Sequence, residues 1–213
     1  MPYRLDLKLA VALSVIVILV STAYGLVLVR TQNQRSLDTM VLGAGQLSKS
    51  ITSATWHAML DDNREAAYDI MRVIAQKQGV DGIRIFNREG RLMFSTQHAG
   101  SAAAESDHTS SLCASCHSGV ARHTDVPERL RYRITTREDG HRTLSMITPV
   151  YNEPSCSDAA CHAHPASIRV LGVLDVALGL DRLENESASI TTQVLIATVV
   201  QVATMVVFIF SFA

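Results

Sequence analysis

The sequence predicts an α+β protein in which an antiparallel sheet, with helices gathered to one side, lies between two apolar helices long enough to cross a membrane. Residues 9–29 and 190–213 are apolar blocks of twenty or more residues without a single charge. Between them, hydrophobic spacing changes from steps of three and four to steps of two. Turn signals divide the two-step runs into hairpins, and hairpins favour antiparallel pairing.

Residues 9–29 are apolar apart from Ser14, Ser21, Thr22, Tyr24 and Gly25. The block is long for a signal peptide, and no small-residue cleavage site follows it, so an uncleaved anchor is expected. Apolar and small residues then recur at Leu37, Val41, Ala44, Leu47, Ile51, Ala54 and Ala58. This is helical spacing, with no proline to interrupt it, although Gly43 and Gly45 weaken it. Asp62 with Glu65 forms a capping-box pattern for a second helix through Ala66, Ala67, Ile70, Val73 and Ile74, stopping at Gly79.

Residues 81–86 alternate as a strand, 87–90 form a turn, and 91–96 return. Residues 97–128 are polar, small and histidine-rich. A second hairpin pairs 131–136 with 142–151 around a turn at 138–140. Residues 170–178 are nearly all apolar, as in a central strand buried on both faces. Asp181 caps a last helix that runs into the second apolar block. Gly82 and Gly172 read as strand or turn geometry, and Trp56 as a core aromatic or a partner for a flat cofactor.

All four cysteines fall in two motifs that end in histidine: Cys113-Ala-Ser-Cys116-His117 and Cys156-Ser-Asp-Ala-Ala-Cys161-His162. The first has the C-x-x-C-H spacing of c-type haem attachment, and the second has two extra residues between the thiols. Two thiols add across the haem vinyl groups, and the histidine ligates iron. With 8 histidines in 213 residues, chance would put one after both second cysteines about once in 700 cases. Disulfides, a zinc site or a thioredoxin-like pair are the alternatives. A site of four thiolates needs no histidine after each second cysteine, and a thioredoxin site needs a strand-to-helix context. Two haem c groups are therefore expected, with Cys113, Cys116, Cys156 and Cys161 as thioethers and His117 and His162 as proximal iron ligands.

Distal ligands are open among His57, His98, His108, His123, His141, His164 and several methionines. His57 stands out beside Trp56 on the long helix, His123 in the first haem loop, and His164 just after His162. Arg129, Arg131 and Arg133 are candidates to pair haem propionates, although a solvated edge strand is the favoured reading of these charges.

Arg4 and Lys8 precede the first apolar block and Arg30 and Arg35 follow it, so charge does not orient the chain. Haem attachment does, because it takes place outside the bacterial plasma membrane. The expected layout is a cytoplasmic 1–8, a span at 9–29, a periplasmic domain at 30–189, and a second span at 190–213. The domain carries 17 Lys/Arg against 19 Asp/Glu, and nothing in this balance suggests nucleic-acid binding.

The span–domain–span layout, the long helix, the hairpin "DGIRIFNREGRLMFST", the Cys113–His117 motif and the stretch "ITPVYNEPSCSDAACH…VLGVLDVALGL" resemble the periplasmic haem-c PAS-like sensor domains of bacterial transmembrane receptors. The resemblance covers most of 30–189. It implies a signal-transduction input domain, a homodimer, and detection of redox state or a small gas ligand. Such receptors continue into a HAMP linker and an output module such as a histidine kinase. This sequence holds no phospho-acceptor helix and no nucleotide-binding glycines, and it stops at Ala213 within an apolar block, so a piece of a longer receptor is expected. The second functional reading is a membrane-anchored di-haem cytochrome that relays electrons to or from a periplasmic partner. The third is a structural domain whose cysteines bind zinc or pair as disulfides.

Overall fold

The computed structural model describes residues 3–97, 127, 130–136, 139–157 and 164–212. The chain divides into two compact units, one of residues 1–38 with 182–213 and one of residues 39–181.

The first unit contains the apolar stretches of two long helices, α1 (Tyr3–Leu60) and α4 (Asp181–Phe212). Both are long and apolar enough to cross a membrane. Leu19, Val20, Leu26 and Val27 on α1, and Leu195, Ile196 and Val207 on α4, are exposed. The two helices approach closely at Gly25, where a Cβ would come within 2.7 Å of Val194 Cγ1. Gln201 Nε2 donates to Ser21 Oγ at 3.1 Å. Small residues and one polar cross-link are how apolar helices associate where burial of hydrocarbon supplies no drive.

The second unit is built on five antiparallel strands: β1 (Val80–Asn87), β2 (Leu92–Ser95), β3 (Tyr132–Thr136), β4 (Arg142–Tyr151) and β5 (Val170–Gly179). Their order is β2-β1-β5-β4-β3. The apolar run at 170–178 is thus the central strand, as its composition predicts. Gly172 is required there, because a Cβ would lie 2.5 Å from the Phe86 carbonyl oxygen on β1.

One face of the sheet packs against the end of α1 and against α2 (Arg64–Ala75). Ile51, Ala67, Met71, Ile83, Phe94, Leu174 and Val176 form this core. Tyr68 of α2 stacks on Phe94 of β2 with ring centroids 4.4 Å apart, and Arg72 lies over the same ring. The buried stripe of α1 runs Val41, Ala44, Ser48, Ile51, Thr55. Apolarity alone misses Ser48 and Thr55, and Ala54, placed on the stripe by periodicity, is exposed. Thr55 fits because its hydroxyl donates back to the Ile51 carbonyl at 2.9 Å.

Two further expectations are corrected. The cap of α2 is Asn63, whose side chain accepts from Ala66 N–H at 3.1 Å. Asp62, expected to cap, instead takes φ +52° in the turn between the helices. The helix also ends at Ala75 rather than at Gly79, and Gly79 (φ +87°) turns the chain into β1. Val73, expected on the apolar face, is exposed, and Met71 is buried in its place.

Ile83→Ala should lower the unfolding free energy by about 2–5 kcal/mol. Val73→Ala should change it by no more than about 0.5 kcal/mol. Denaturant titration of the full chain in detergent micelles, followed by circular dichroism, checks both.

Candidate functional site

The second cysteine motif begins where β4 ends. Asn152 leaves the strand, and a short helix, α3 (Pro154–Ser157), carries Cys156. Cys156 is a free thiol and half-buried. His164 N–H donates to the Cys156 carbonyl at 3.2 Å, so the chain from Cys156 to His164 is a closed loop. Cys161 and His162 belong to that loop by sequence, but they lie outside the described residues, as do Cys113, Cys116, His117, His98, His108, His123 and Arg129.

Asn152 organises the loop. Its Nδ2 donates to the carbonyls of Pro165 at 3.0 Å and Ile168 at 2.8 Å. Its Oδ1 accepts from the Ser157 hydroxyl at 3.3 Å, and its backbone N–H bonds Arg169 O at 3.0 Å. One side chain therefore ties both stems together, where a loop would otherwise leave backbone carbonyls unsatisfied. Nothing in the sequence pattern singles out Asn152 for this role beyond its place directly after a strand and before Pro154.

The remaining candidates separate. His57 lies in the last turn of α1 and is exposed. His164 is half-buried and engaged, and its backbone closes the Cys156 loop. His141 has both ring nitrogens committed. Nε2 lies 2.6 Å from Asp81 Oδ2 at the start of β1, and Nδ1 lies 3.0 Å from Asp181 Oδ1 at the start of α4. Thr143 also donates to Asp81 Oδ2, at 3.0 Å. Only a doubly protonated imidazolium can donate to both carboxylates. The hydrogen-bonded Asp81 carboxylate holds the His141 ring above its ordinary range, partial burial opposes this, and Asp181 adds to it. This junction carries no sequence motif. Its three members are separated by 60 and 40 residues and meet only through the sheet.

The sheet face away from α1 and α2 is polar at its centre. Asp175 on β5 is fully buried, and its Oδ2 accepts from Arg84 Nε of β1 at 2.8 Å and from Arg84 Nη2. Burial pushes the Asp175 carboxyl up, against the pull of the Arg84 guanidinium. The other oxygen, Oδ1, has no hydrogen-bond partner. On β3, Arg133 sits opposite Ser145 of β4 on the same face. Its Nε is sealed from solvent and also lacks a partner. β3 is an edge strand, as expected, and Arg133 is half-buried on it, so the expected solvation is incomplete at its Nε. Arg131 has a partner of its own.

These features fit a covalently held porphyrin on two counts. Cys156 is an unpaired thiol, as thioether formation needs, and it opens a loop whose stems are tied. An always-charged guanidinium N–H lies buried without an acceptor, where a carboxylate would satisfy it. No protein-family model matches the chain, and no curated protein matches it.

Two outcomes follow. In Asn152→Ala, amide exchange in peptides covering 152–164 should accelerate at least tenfold, while peptides covering 173–178 keep wild-type protection, as measured by hydrogen-exchange mass spectrometry. His141 has a raised folded pKa, so its contribution to stability is complete below the unfolded value of about 6.5 and is lost as pH rises through the folded value. The stability gap between wild type and His141→Gln should therefore narrow as pH is raised from 6 through 9, as read by thermal unfolding across that range.

Proposed function

We propose that this chain is the c-type haem input domain of a bacterial membrane receptor, with the central domain in the periplasm and two spans in the plasma membrane. The observation that carries the reading is the joining of the second cysteine–histidine motif to the strand that runs into the last helix. The Cys156–His164 loop opens at the end of β4, and its stem leads through Ile168 and Arg169 into β5. β5 leads in turn through Leu180 into α4, a helix long enough to cross a membrane.

Cys156 with Cys161, and Cys113 with Cys116, would hold the two haems as thioethers, and His162 and His117 would ligate the irons. Bound haem supplies a metal centre whose redox state and open coordination position respond to a donor or a small gas. The chain's own part is to hold that centre rigidly and to present its change to the strand. Asn152 fixes the loop stems. Leu180 N–H donates to Arg142 O at 2.9 Å, Gly179 N–H donates to Gly79 O at 3.1 Å, and His141 holds Asp181. The junction from β5 to α4 is thus held at three successive residues. A change at the loop can shift this junction only by the differential free energy the signal supplies.

A homodimer suits this reading, with either a periplasmic electron donor or a diffusible ligand as the signal.

The test uses the full chain in lipid nanodiscs, made in a host that attaches haem c. A pyridine haemochrome spectrum should show c-type haem. Hydrogen exchange in peptides containing Leu180 and Asp181 should then differ between the oxidised and reduced protein. Absence of haemochrome would reject the reading. Haem without any redox-dependent exchange, together with steady quinol oxidation, would replace the receptor with an electron-transfer cytochrome.

A further inference from the structure

We infer that His141 is a proton-operated latch on the first residue of α4: loss of one proton from its ring frees Asp181 and leaves Asp81 held to the sheet. The inference is independent of the haem reading, and its effector is the hydrogen ion.

The fold builds this latch across three strands. The register of β1 shifts between Val80 and Gly82, so Asp81 sits at a bulge, and a bulge re-aims a side chain. β1 and β4 are not neighbours, because β5 lies between them. Asp81 nevertheless reaches the start of β4, because the strand it crosses carries Gly179 at that point. A Cβ there would lie 2.9 Å from Asp81 Oδ1. Past the glycine, Asp81 Oδ2 accepts from Thr143 Oγ1 at 3.0 Å and meets His141 Nε2 at 2.6 Å. The other ring nitrogen, Nδ1, meets Asp181 Oδ1 at 3.0 Å. Both nitrogens are taken, so neither is open to iron.

The two carboxylates are not equivalent. An imidazolium donates to both, whereas a neutral ring keeps one N–H and turns a lone pair to the other side. Asp81 retains the N–H. Its contact is the shorter, its side chain is 20% exposed against 62% for Asp181, and Thr143 supports the same oxygen. Nδ1 then faces Asp181 lone pair to lone pair, and the exposed carboxylate turns to water. Acidic groups surround the ring from three elements: Asp81 of β1, Asp181 of α4, and Asp139 of the turn before β4, whose Oδ1 accepts the His141 backbone N–H at 2.9 Å. Arg142 has a partner of its own, and Arg182 pairs with Glu186 at 3.2 Å. The hydrogen-bonded Asp81 holds the ring above its ordinary range, against partial burial and with help from Asp181. The latch is therefore closed at and below about pH 6.5 and opens as pH rises through the higher folded value. Leu180 N–H still donates to Arg142 O at 2.9 Å, so the sheet side of the junction stays fixed.

The experiment compares wild type, His141→Gln and Asp181→Asn, each as full chain in lipid nanodiscs. Carbon-13 signals of labelled histidine rings, with His141 assigned by its loss in His141→Gln, give the titration midpoint. Hydrogen exchange, corrected for its intrinsic pH dependence, is read from pH 6 to 9 in peptides covering 181–186 and, as a control, 173–178. Wild-type protection at 181–186 should fall about tenfold through the His141 midpoint, as one charge-assisted hydrogen bond is lost, while the control stays level. His141→Gln should show no fall, remaining at the level wild type reaches at pH 9. Asp181→Asn should keep its pH 6 protection up to pH 9, because its amide N–H donates to the neutral ring. This second variant decides the matter if His141→Gln fails to fold. Level wild-type protection across the midpoint, or a fall that persists in either variant, overturns the latch. So does a fall at 173–178 with 181–186 unchanged.

Discussion

Asp175 has no access to solvent, and a carboxylate so placed must either give up its charge or hold a cation. Arg84 meets that demand from the adjacent strand, in direct register with it. The pairing does more than neutralise a charge. A one-residue slip of β5 would turn Asp175 towards the core formed with α1 and α2 and carry Leu174 and Val176 out of it. The ion pair therefore acts against misregister in the strand that every other strand flanks, directly or through one neighbour. Removing either partner should be far more damaging than replacing both, since it strands a charge in the interior.

The ends of β5 are where the Cys156 loop and a long apolar helix join the sheet. At its start, Asn152 closes the loop that carries Cys156. At its finish, backbone bonds to Gly79 and Arg142, and the His141–Asp181 contact, hold the transition to α4. Ten residues of strand separate a candidate cofactor loop from the root of a long apolar helix. A rigid central strand, paired on both sides, is a suitable carrier between them because packed interiors deform little.

The sequence made much of this architecture legible, and physical reasons separate what it revealed from what it hid. Alternation and apolar runs located all five strands, because side-chain period is a direct consequence of the pleat. The two apolar helices declared themselves by length and lack of charge. The corrections fall where polar residues behave as structure. Thr55 is buried because it bonds its own helix, and Asn63 displaced Asp62 as a cap because its carbonyl reaches the Ala66 amide. The Arg84–Asp175 pair spans 91 residues and the His141–Asp81 contact spans 60, so only the sheet topology brings them together. Cysteine spacing suggested a candidate chemistry, but the placement of the residues around Cys156 was not legible. Asn152, Arg133 and Asp175 act through partners distant in sequence or through burial, and neither leaves a motif.

The central claim is that porphyrin is thioether-bonded at both cysteine pairs. Peptide-level mass mapping of the full chain, after alkylation of every free thiol, addresses it most directly. The expected result is that the peptide containing Cys113 and Cys116 and the peptide containing Cys156 and Cys161 each carry one haem and no alkyl group. Recovery of both peptides with all four thiols alkylated, from a host that attaches haem c to a control cytochrome, would contradict the account.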